Sequence, residues 1–148
     1  MKKKTPKYSL RESLGYLVYQ ASGSIRKRIG RELSRRGYPI RADQFSALVY
    51  IWDQDGQTQR ALAEKLYRDK TTVSRLVSKI ESLGLIQREA GQGDTRERLI
   101  YLTETGRQLM AKVTELVQEV LDLAEEGIDA QEMKNCKDVL RRVRQNLA

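Results

Sequence analysis

Hydroxyl-bearing and cationic side chains share one face of a helix that is predicted to begin near residue 70. The side chains of this polar face are Lys70, Thr71, Thr72, Ser74, Arg75 and Lys79. Apolar side chains recur at helical spacing on the opposite face, at Val73, Leu76, Val77, Ile80 and Leu83. Hydroxyl and guanidinium groups near a helix N-terminus can hydrogen-bond to base edges in a major groove and to phosphates. This helix therefore indicates DNA binding.

A second short helix precedes it at the distance expected for a helix-turn-helix. Thr58 is a suitable N-cap for this helix, whose apolar residues are Leu62, Ala63 and Leu66. Residues 67–69 form the tight turn, and Asp69 can accept hydrogen bonds from the first backbone N–H groups of the next helix. A further helix over residues 42–53 is predicted to have an inner face made of Phe45, Leu48, Val49 and Trp52.

The apolar period changes after Gly84, and this change predicts a β-hairpin. Residues 85–89 and 99–103 alternate as two short strands. The segment between them contains Gly91 and Gly93, which permit a tight tip. The fold class is therefore mainly α with a small β-hairpin, and the hairpin is the wing of a winged helix-turn-helix.

Three amphipathic helices lie outside the winged region. Ser9 with Glu12 forms a capping box for the first, and Asp129 with Glu132 forms one for the last. The three apolar stripes are Leu14, Leu17, Val18, Ala21, Ile25, Ile29 and Leu33; Leu109, Val113, Leu116, Val117, Val120 and Ala124; and Met133, Cys136, Leu140, Val143 and Leu147. A small winged domain offers these stripes too few partners, so we expect a second copy of the chain to cover them. Packing of the helices on one another within a monomer is the alternative.

The positive charge of the chain is unevenly distributed. The net charge is +8, with 21 Lys and Arg against 11 Asp and Glu in residues 1–100, and 7 against 9 in residues 101–148. A basic region of this kind favours a polyanion such as nucleic acid, although it also suits a solvated surface. The lysines at positions 2, 3, 4 and 7 form a basic arm that either contacts phosphate or is solvated.

Several functional classes lack the residues that they need. The chain has no histidine and one cysteine, no phosphate-binding glycine-rich loop and no paired carboxylates, so neither an enzyme nor a metal or other cofactor site is expected. No apolar run reaches the length of a membrane span, and the N-terminus does not resemble a secretory signal. We therefore expect a reduced, cytoplasmic protein without a membrane partner.

Four segments together resemble the MarR family of winged helix-turn-helix regulators. They are Leu-Ala-Glu-Lys-Leu at 62–66, Asp-Lys-Thr-Thr-Val-Ser-Arg-Leu-Val at 69–77, Leu-Gly-Leu-Ile at 83–86, and Asp-Thr-Arg-Glu-Arg-Leu-Ile-Tyr-Leu-Thr at 94–103 followed by Gly106. The resemblance covers nearly the whole chain, including the order and lengths of the flanking helices. The wing pattern, Asp-x-Arg followed by alternating apolar residues and a Leu-Thr ending before a glycine, is quite specific in this context.

The resemblance implies roles for nine residues in binding double-stranded DNA. Four would lie in the major groove, namely Thr71, Thr72, Ser74 and Arg75, with Lys70 and Lys79 near the backbone. Arg96 would enter the minor groove and Asp94 would orient it, since a guanidinium suits a narrow, electronegative groove. Arg98 either contacts phosphate or closes a surface ion pair. The hydroxyls of Thr71 and Thr72 have the alternative role of satisfying the helix end.

The resemblance also implies a domain organisation and a regulatory scheme. The parts would be a basic arm (1–8), an N-terminal dimerisation helix (9–40), the winged helix-turn-helix (41–103) and C-terminal dimerisation helices (104–148). A homodimer would address two half-sites of a palindromic operator about 34 Å apart. It would repress transcription until a small-molecule effector, often an anionic phenolic or lipophilic compound, binds near the junction of the parts. Candidate effector contacts are Tyr16, Tyr19, Tyr50 and Trp52, whose alternative role is core or interface packing.

The sequence bears on two sensing mechanisms, peroxide and zinc sensing, and on one alternative function. Cys136 lies on the apolar stripe of the last helix, which predicts buried packing rather than peroxide sensing. Zinc sensing would need histidines that the chain lacks. The rival is a winged helix that coats DNA without specificity or serves as a protein-interaction adaptor. A coating protein would show a salt dependence shared by all sequences, whereas a specific regulator prefers its operator to random duplex.

Overall fold

The elements follow one another in the order expected of a winged helix-turn-helix with helical flanks. The computed structural model describes residues 8–93 and 97–148. After a single 3-10 turn at Leu10–Glu12, its elements are α1 (Leu14–Arg35), α2 (Ala42–Asp53), β1 (Gln57–Thr58), α3 (Gln59–Leu66), α4 (Lys70–Ser82), β2 (Ile86–Ala90), β3 (Arg98–Leu102), α5 (Glu104–Ala124) and α6 (Ala130–Asn146). The predicted fold class, mainly α with a small wing, is confirmed.

Side-chain caps set where most of these helices begin. Thr58 accepts a hydrogen bond from the backbone N–H of Ala61, and Asp129 accepts from the N–H groups of the first turn of α6, as predicted. The prediction that Ser9 opens the first helix is wrong. Ser9 makes no side-chain cap bond, and Ser13 caps α1 instead by accepting from the N–H of Tyr16 at 3.3 Å.

The wing contains one strand more than the sequence predicts. The sheet is antiparallel in the order β1-β3-β2, with Ile86 opposite Leu102 and Gln57 opposite Ile100. The strand β1 has two residues, too few to show an alternating pattern. Each hairpin strand is displaced by one residue from the prediction. Strand β3 ends at Leu102 because Thr103 is the N-cap of α5, its hydroxyl oxygen accepting from the N–H of Gly106. Strand β2 begins after Leu85, whose N–H donates to the carbonyl of Ile80 in α4.

The core is formed where α2 and α4 pack with α3 and the sheet. Its fully buried side chains include Leu48, Ile51, Leu62, Val73, Val77, Ile80 and Ile100. The prediction that Val49 and Trp52 belong to the inner face of α2 is wrong, since each is 39% exposed. Val49 lies to one side of the buried stripe, and Trp52 lies in the last turn of the helix, while Ile51 takes the inner position.

The terminal helices are covered unequally within one chain. The helix α5 packs along α1, and its Val113, Leu116 and Val120 are buried. By contrast, α6 buries no side chain, and Cys136 is exposed rather than packed as predicted. The apolar side chains exposed at the N-terminal half of α1 and on α6 are Leu14, Leu17, Val18, Val139 and Leu140. Within the described residues, no helix is both long and apolar enough to cross a membrane.

One glycine fixes how closely α5 approaches the wing. A Cβ atom at Gly106 would lie 2.1 Å from the carbonyl oxygen of Leu85 and 3.1 Å from a methyl group of Leu102. We expect Gly106→Ala to lower the free energy of unfolding by about 1–3 kcal/mol because backbone must move to admit the methyl group. Urea denaturation followed by circular dichroism measures the change.

A matched alanine substitution separates this contact from helix propensity. A Cβ atom at Gly23, in the interior of α1, has no neighbouring atom within 4 Å. Gly23→Ala is therefore expected to raise stability by roughly 0.5–1 kcal/mol, the usual gain from alanine over glycine inside a helix. Equal effects of the two substitutions would contradict a steric role for Gly106.

Candidate nucleic-acid interface

A carboxylate cap fixes the start of the helix that carries the predicted DNA contacts. The turn before α4 includes Tyr67 in the left-handed region, with φ of 52°. Asp69 accepts from the backbone N–H of Thr72 at 2.8 Å and from the hydroxyl of Thr72 at 2.6 Å. These two hydrogen bonds, the hydroxyl one first, lower the pKa of Asp69. The Thr72 hydroxyl therefore donates to the cap residue, and its oxygen remains available as a hydrogen-bond acceptor.

The two faces of α4 are sharply different in burial. Val73, Val77 and Ile80 are fully buried in the core. The exposed residues of the opposite face include Lys70, Thr71, Thr72, Arg75, Ser78 and Lys79, and Ser74 lies at the boundary, partly buried. Neither Lys70, Arg75 nor Lys79 forms an ion pair with a carboxylate in the part of the chain that the structure describes. The structure thus gathers six of the nine predicted DNA contacts on one helix.

The remaining predicted contacts belong to the wing. Arg98 begins β3 and is exposed, and it forms no ion pair with a carboxylate of residues 8–93 or 97–148. Asp94 and Arg96 lie outside the described residues. A weak contact links the tip end of the wing to α3, since Arg60 and Glu97 approach to 4.0 Å.

An ion pair that the sequence analysis missed joins α4 to the wing. Arg88 on β2 donates two hydrogen bonds to Glu81 on α4, at 3.1 Å from Nε and 2.9 Å from Nη2. Their side chains are 20% and 36% exposed. The hydrogen bonds from Arg88 lower the pKa of Glu81 against the opposing effect of desolvation. In the sequence, Glu81 and Arg88 are seven residues apart across a glycine turn. Many surface residues have this spacing, so it did not predict the ion pair.

A second missed link joins the wing to α5. Asp55, in the turn after α2, accepts at 2.9 Å from the backbone N–H of Leu102 at the end of β3. Its other carboxylate oxygen accepts from the guanidinium of Arg107 on α5. One side chain therefore connects three elements, and no sequence pattern marked it.

A groove of 1270 Å³ is lined by residues of α1, α2, the end of α3 and α4. Thr72, Arg75 and Lys79 of α4 form one wall. Of the four aromatic residues predicted as effector contacts, only Tyr50 lines this groove. Tyr16, Tyr19 and Trp52 are not among its lining residues, and Tyr19 is 68% exposed on α1.

Metal-binding chemistry has no counterpart in the described part of the chain. Its residues contain no group of three or more histidine, cysteine or carboxylate side chains placed to hold a metal ion. The features that remain are hydroxyls, amides and cations, which bind by hydrogen bonding and charge.

Comparisons with known proteins agree with this geometry. Residues 40–97, from just before α2 to the wing, match the model of the MarR family. The chain is 29% identical over 136 residues to an organic hydroperoxide resistance transcriptional regulator of Bacillus subtilis, covering 91% of each protein. The proteins that this chain matches are regulators of transcription and not enzymes.

Two solved structures show what the fold supports in similar proteins. A complex of Staphylococcus aureus MepR with DNA has a TM-score of 0.78 and 27% identity, covering 90% of this chain and 98% of that one. CouR of Rhodococcus jostii RHA1, bound to p-coumaroyl-CoA, has a TM-score of 0.77 and 26% identity, covering 91% and 94%. Similar folds therefore include a DNA complex and a complex with an acyl-CoA ligand.

The pH dependence of stability should reveal the ion pair between Glu81 and Arg88. At pH 7 we expect Glu81→Gln to lower the free energy of unfolding by about 1 kcal/mol at most, because both groups are partly solvated. The folded-state pKa of Glu81 is lowered, so the pair's contribution is complete above the ordinary glutamate pKa and disappears as pH falls through the lowered value. Urea denaturation at a series of pH values should show the two proteins converging in acid.

Glu64→Gln is the matched control for this measurement. Glu64 is exposed on α3 and forms no ion pair among the described residues. Its substitution should change stability little at any pH. A Glu81→Gln effect that persisted unchanged in acid would show that the ion pair is not its cause.

Proposed function

This chain belongs to the MarR family of DNA-binding transcriptional regulators, and we propose that it is a homodimeric repressor of a palindromic operator, released by a small-molecule effector. The observation that carries the proposal is the exposed face of α4, where hydroxyls and cations that form no ion pair within residues 8–93 and 97–148 stand opposite the buried side chains of Val73, Val77 and Ile80. A cytoplasmic location is part of the proposal.

We assign the DNA contacts to residues 41–103. In this assignment Thr71, Thr72, Ser74 and Arg75 read base edges in the major groove, and Lys70 and Lys79 bind the flanking phosphates. Exposure of these side chains on α4, apart from the partly buried Ser74, supports the assignment. Arg98 contacts phosphate from the wing, and its exposure supports this role. Arg96, oriented by Asp94, enters the minor groove, a role that rests on the wing motif of the family.

We assign dimerisation to residues 9–40 and 104–148. The support is the apolar surface that these segments leave exposed in one chain, above all on α6, which buries none of its side chains. A second copy would remove this surface from water at roughly 25 cal/mol for each Å² buried. Two α4 helices would then face two half-sites about one helical turn apart.

We assign effector binding to the groove between α1, α2 and α4. It lies at the junction of the proposed dimerisation and DNA-binding parts, and Tyr50 lines it. CouR, a structural neighbour, is bound to p-coumaroyl-CoA, so binding of a small molecule by this fold has precedent. The roles proposed for Tyr16, Tyr19 and Trp52 gain no support from the groove. Peroxide sensing is not part of the proposal because the single thiol lies on α6.

Loss of the Arg75 guanidinium should reduce discrimination between operator and random DNA. We expect Arg75→Ala to narrow the difference in binding free energy by about 1–3 kcal/mol, the value of a good contact to a base edge. An operator is first selected from fragments of genomic DNA, and fluorescence anisotropy then gives Kd for operator and for a random duplex at one salt concentration.

Arg142→Ala is the control for loss of one exposed positive charge. Arg142 lies on α6 and forms no ion pair with the described residues. If Arg75→Ala weakened both duplexes equally, Arg75 would be a phosphate contact. If the unaltered protein showed no preference for any selected fragment, the chain would be a DNA-coating protein or an adaptor.

Sedimentation equilibrium tests the dimer. At micromolar concentration we expect twice the 17.1 kDa mass of one chain. Leu140→Glu should shift the equilibrium toward monomer by placing a charge in the proposed interface, without unfolding, because Leu140 is 38% exposed in one chain. Glu64→Lys, at an exposed position of α3 outside the proposed dimerisation segments, should leave the mass unchanged. A monomer mass for the unaltered chain would contradict the dimer.

A further inference from the structure

The charge lining the groove is almost entirely of one sign. Lysine and arginine side chains reach it from four directions: from α1, the N-cap of α2, the end of α3 and α4. The lining residues are seven cations and, among the described residues, one carboxylate, Asp43. Such a concentration of positive charge around one concave surface attracts a ligand with several negative charges.

Most of these cations have no internal carboxylate partner. Asp43 is already paired with Arg41, at 3.4 Å. Lys65 donates to two amide oxygens, those of Gln54 at 2.7 Å and Gln57 at 3.2 Å. In the described part of the chain, no ion pair includes the remaining five, Arg26, Lys27, Arg68, Arg75 and Lys79.

Three arginines outside the groove are already paired. Arg28 and Arg35 on α1, and Arg36 directly after it, all form ion pairs with Glu32. These hydrogen bonds and charges, that of Arg35 first, lower the pKa of Glu32. Arg31 of α1 likewise forms no ion pair among the described residues but does not line the groove, whereas Arg26 and Lys27 do line it, and their charge remains available to a ligand.

The groove also offers apolar surface and ample room. The groove is open to solvent, and its volume of 1270 Å³ leaves room for an extended ligand. Tyr50, Leu66 and Leu76 contribute half-buried apolar surface beside the cations. A single aromatic carboxylate would leave most of the positive charge without a partner.

We propose that the groove binds a small molecule that carries at least two phosphate groups together with an apolar or aromatic portion, and that this ligand competes directly with the operator. Competition follows because Thr72, Arg75 and Lys79 belong both to the groove wall and to the proposed DNA-reading face. The inference rests on the proposed function for its operator. Binding of the ligand itself does not depend on it.

Calorimetric titration without DNA tests the ligand class. The probe is coenzyme A, and adenosine is the phosphate-free control, each titrated into the full chain at constant ionic strength. We expect coenzyme A to bind and adenosine to bind at least tenfold more weakly, since charge-assisted hydrogen bonds to phosphate carry the affinity. Equal binding of the two, or no binding of coenzyme A, would overturn the proposal.

Substitution on α1 tests the site without altering α4. Arg26→Gln combined with Lys27→Gln should weaken coenzyme A binding about tenfold, which is 1.4 kcal/mol. Lys112→Gln, an exposed lysine of α5 outside the groove, should leave it unchanged. Circular dichroism melting confirms that each variant is folded. Unchanged binding in the folded double variant would overturn the site.

Displacement of operator tests the competition. Coenzyme A should release labelled operator from the unaltered protein, and the α1 double variant should need about ten times more coenzyme A for the same release. Binding of coenzyme A to the operator complex without release would overturn competition. A double variant that loses operator affinity but keeps coenzyme A affinity would assign these cations to the DNA backbone. If coenzyme A binds as expected and no operator is found, the proposed function fails while the site stands.

Discussion

Burial of one face of α4 is the constraint on which the rest of the structure depends. Val73, Val77 and Ile80 are fully buried against α2, α3 and the sheet, and the Asp69 carboxylate fixes the first turn. A helix anchored in this way cannot rotate without exposing its apolar face, so the opposite face is held toward solvent. The wing is then attached to the same helix by the pair between Arg88 and Glu81. The side chains proposed to contact DNA are therefore positioned by the packing of the opposite face of α4.

The elements of this fold were predictable where a periodic pattern or a cap marks them. The bounds of α2, α3 and α4 follow from their apolar spacing and from Thr58 and Asp69. The start of α1 was misplaced because Ser9 and Ser13 both precede an apolar stripe, and only the structure shows which of them caps. Strand β1 and the exposure of Trp52 depend on partners distant in sequence, which local patterns cannot reveal.

The candidate site was predictable only in its helical part. Spacing alone placed the hydroxyls and cations of α4 on one face, because helical geometry is local. The links made by Asp55 and Glu81, and the cations that reach the groove from α1, come together only through tertiary packing. The sequence does not show which cations are free to bind a ligand. Arg26 and Arg28 are both arginines of α1, yet Arg28 pairs with Glu32 and Arg26 lines the groove.

The attachment of α5 to the wing makes that helix a lever. Gly106 allows its first turn to touch the backbone of Leu85, and Arg107 holds Asp55, so the N-terminal end of α5 moves with the winged region. A helix of 21 residues is about 30 Å long. A tilt of about 5° about its far end would carry the near end through roughly 2.5 Å over that length. A small change in the tilt of α5 therefore displaces the winged region by ångströms.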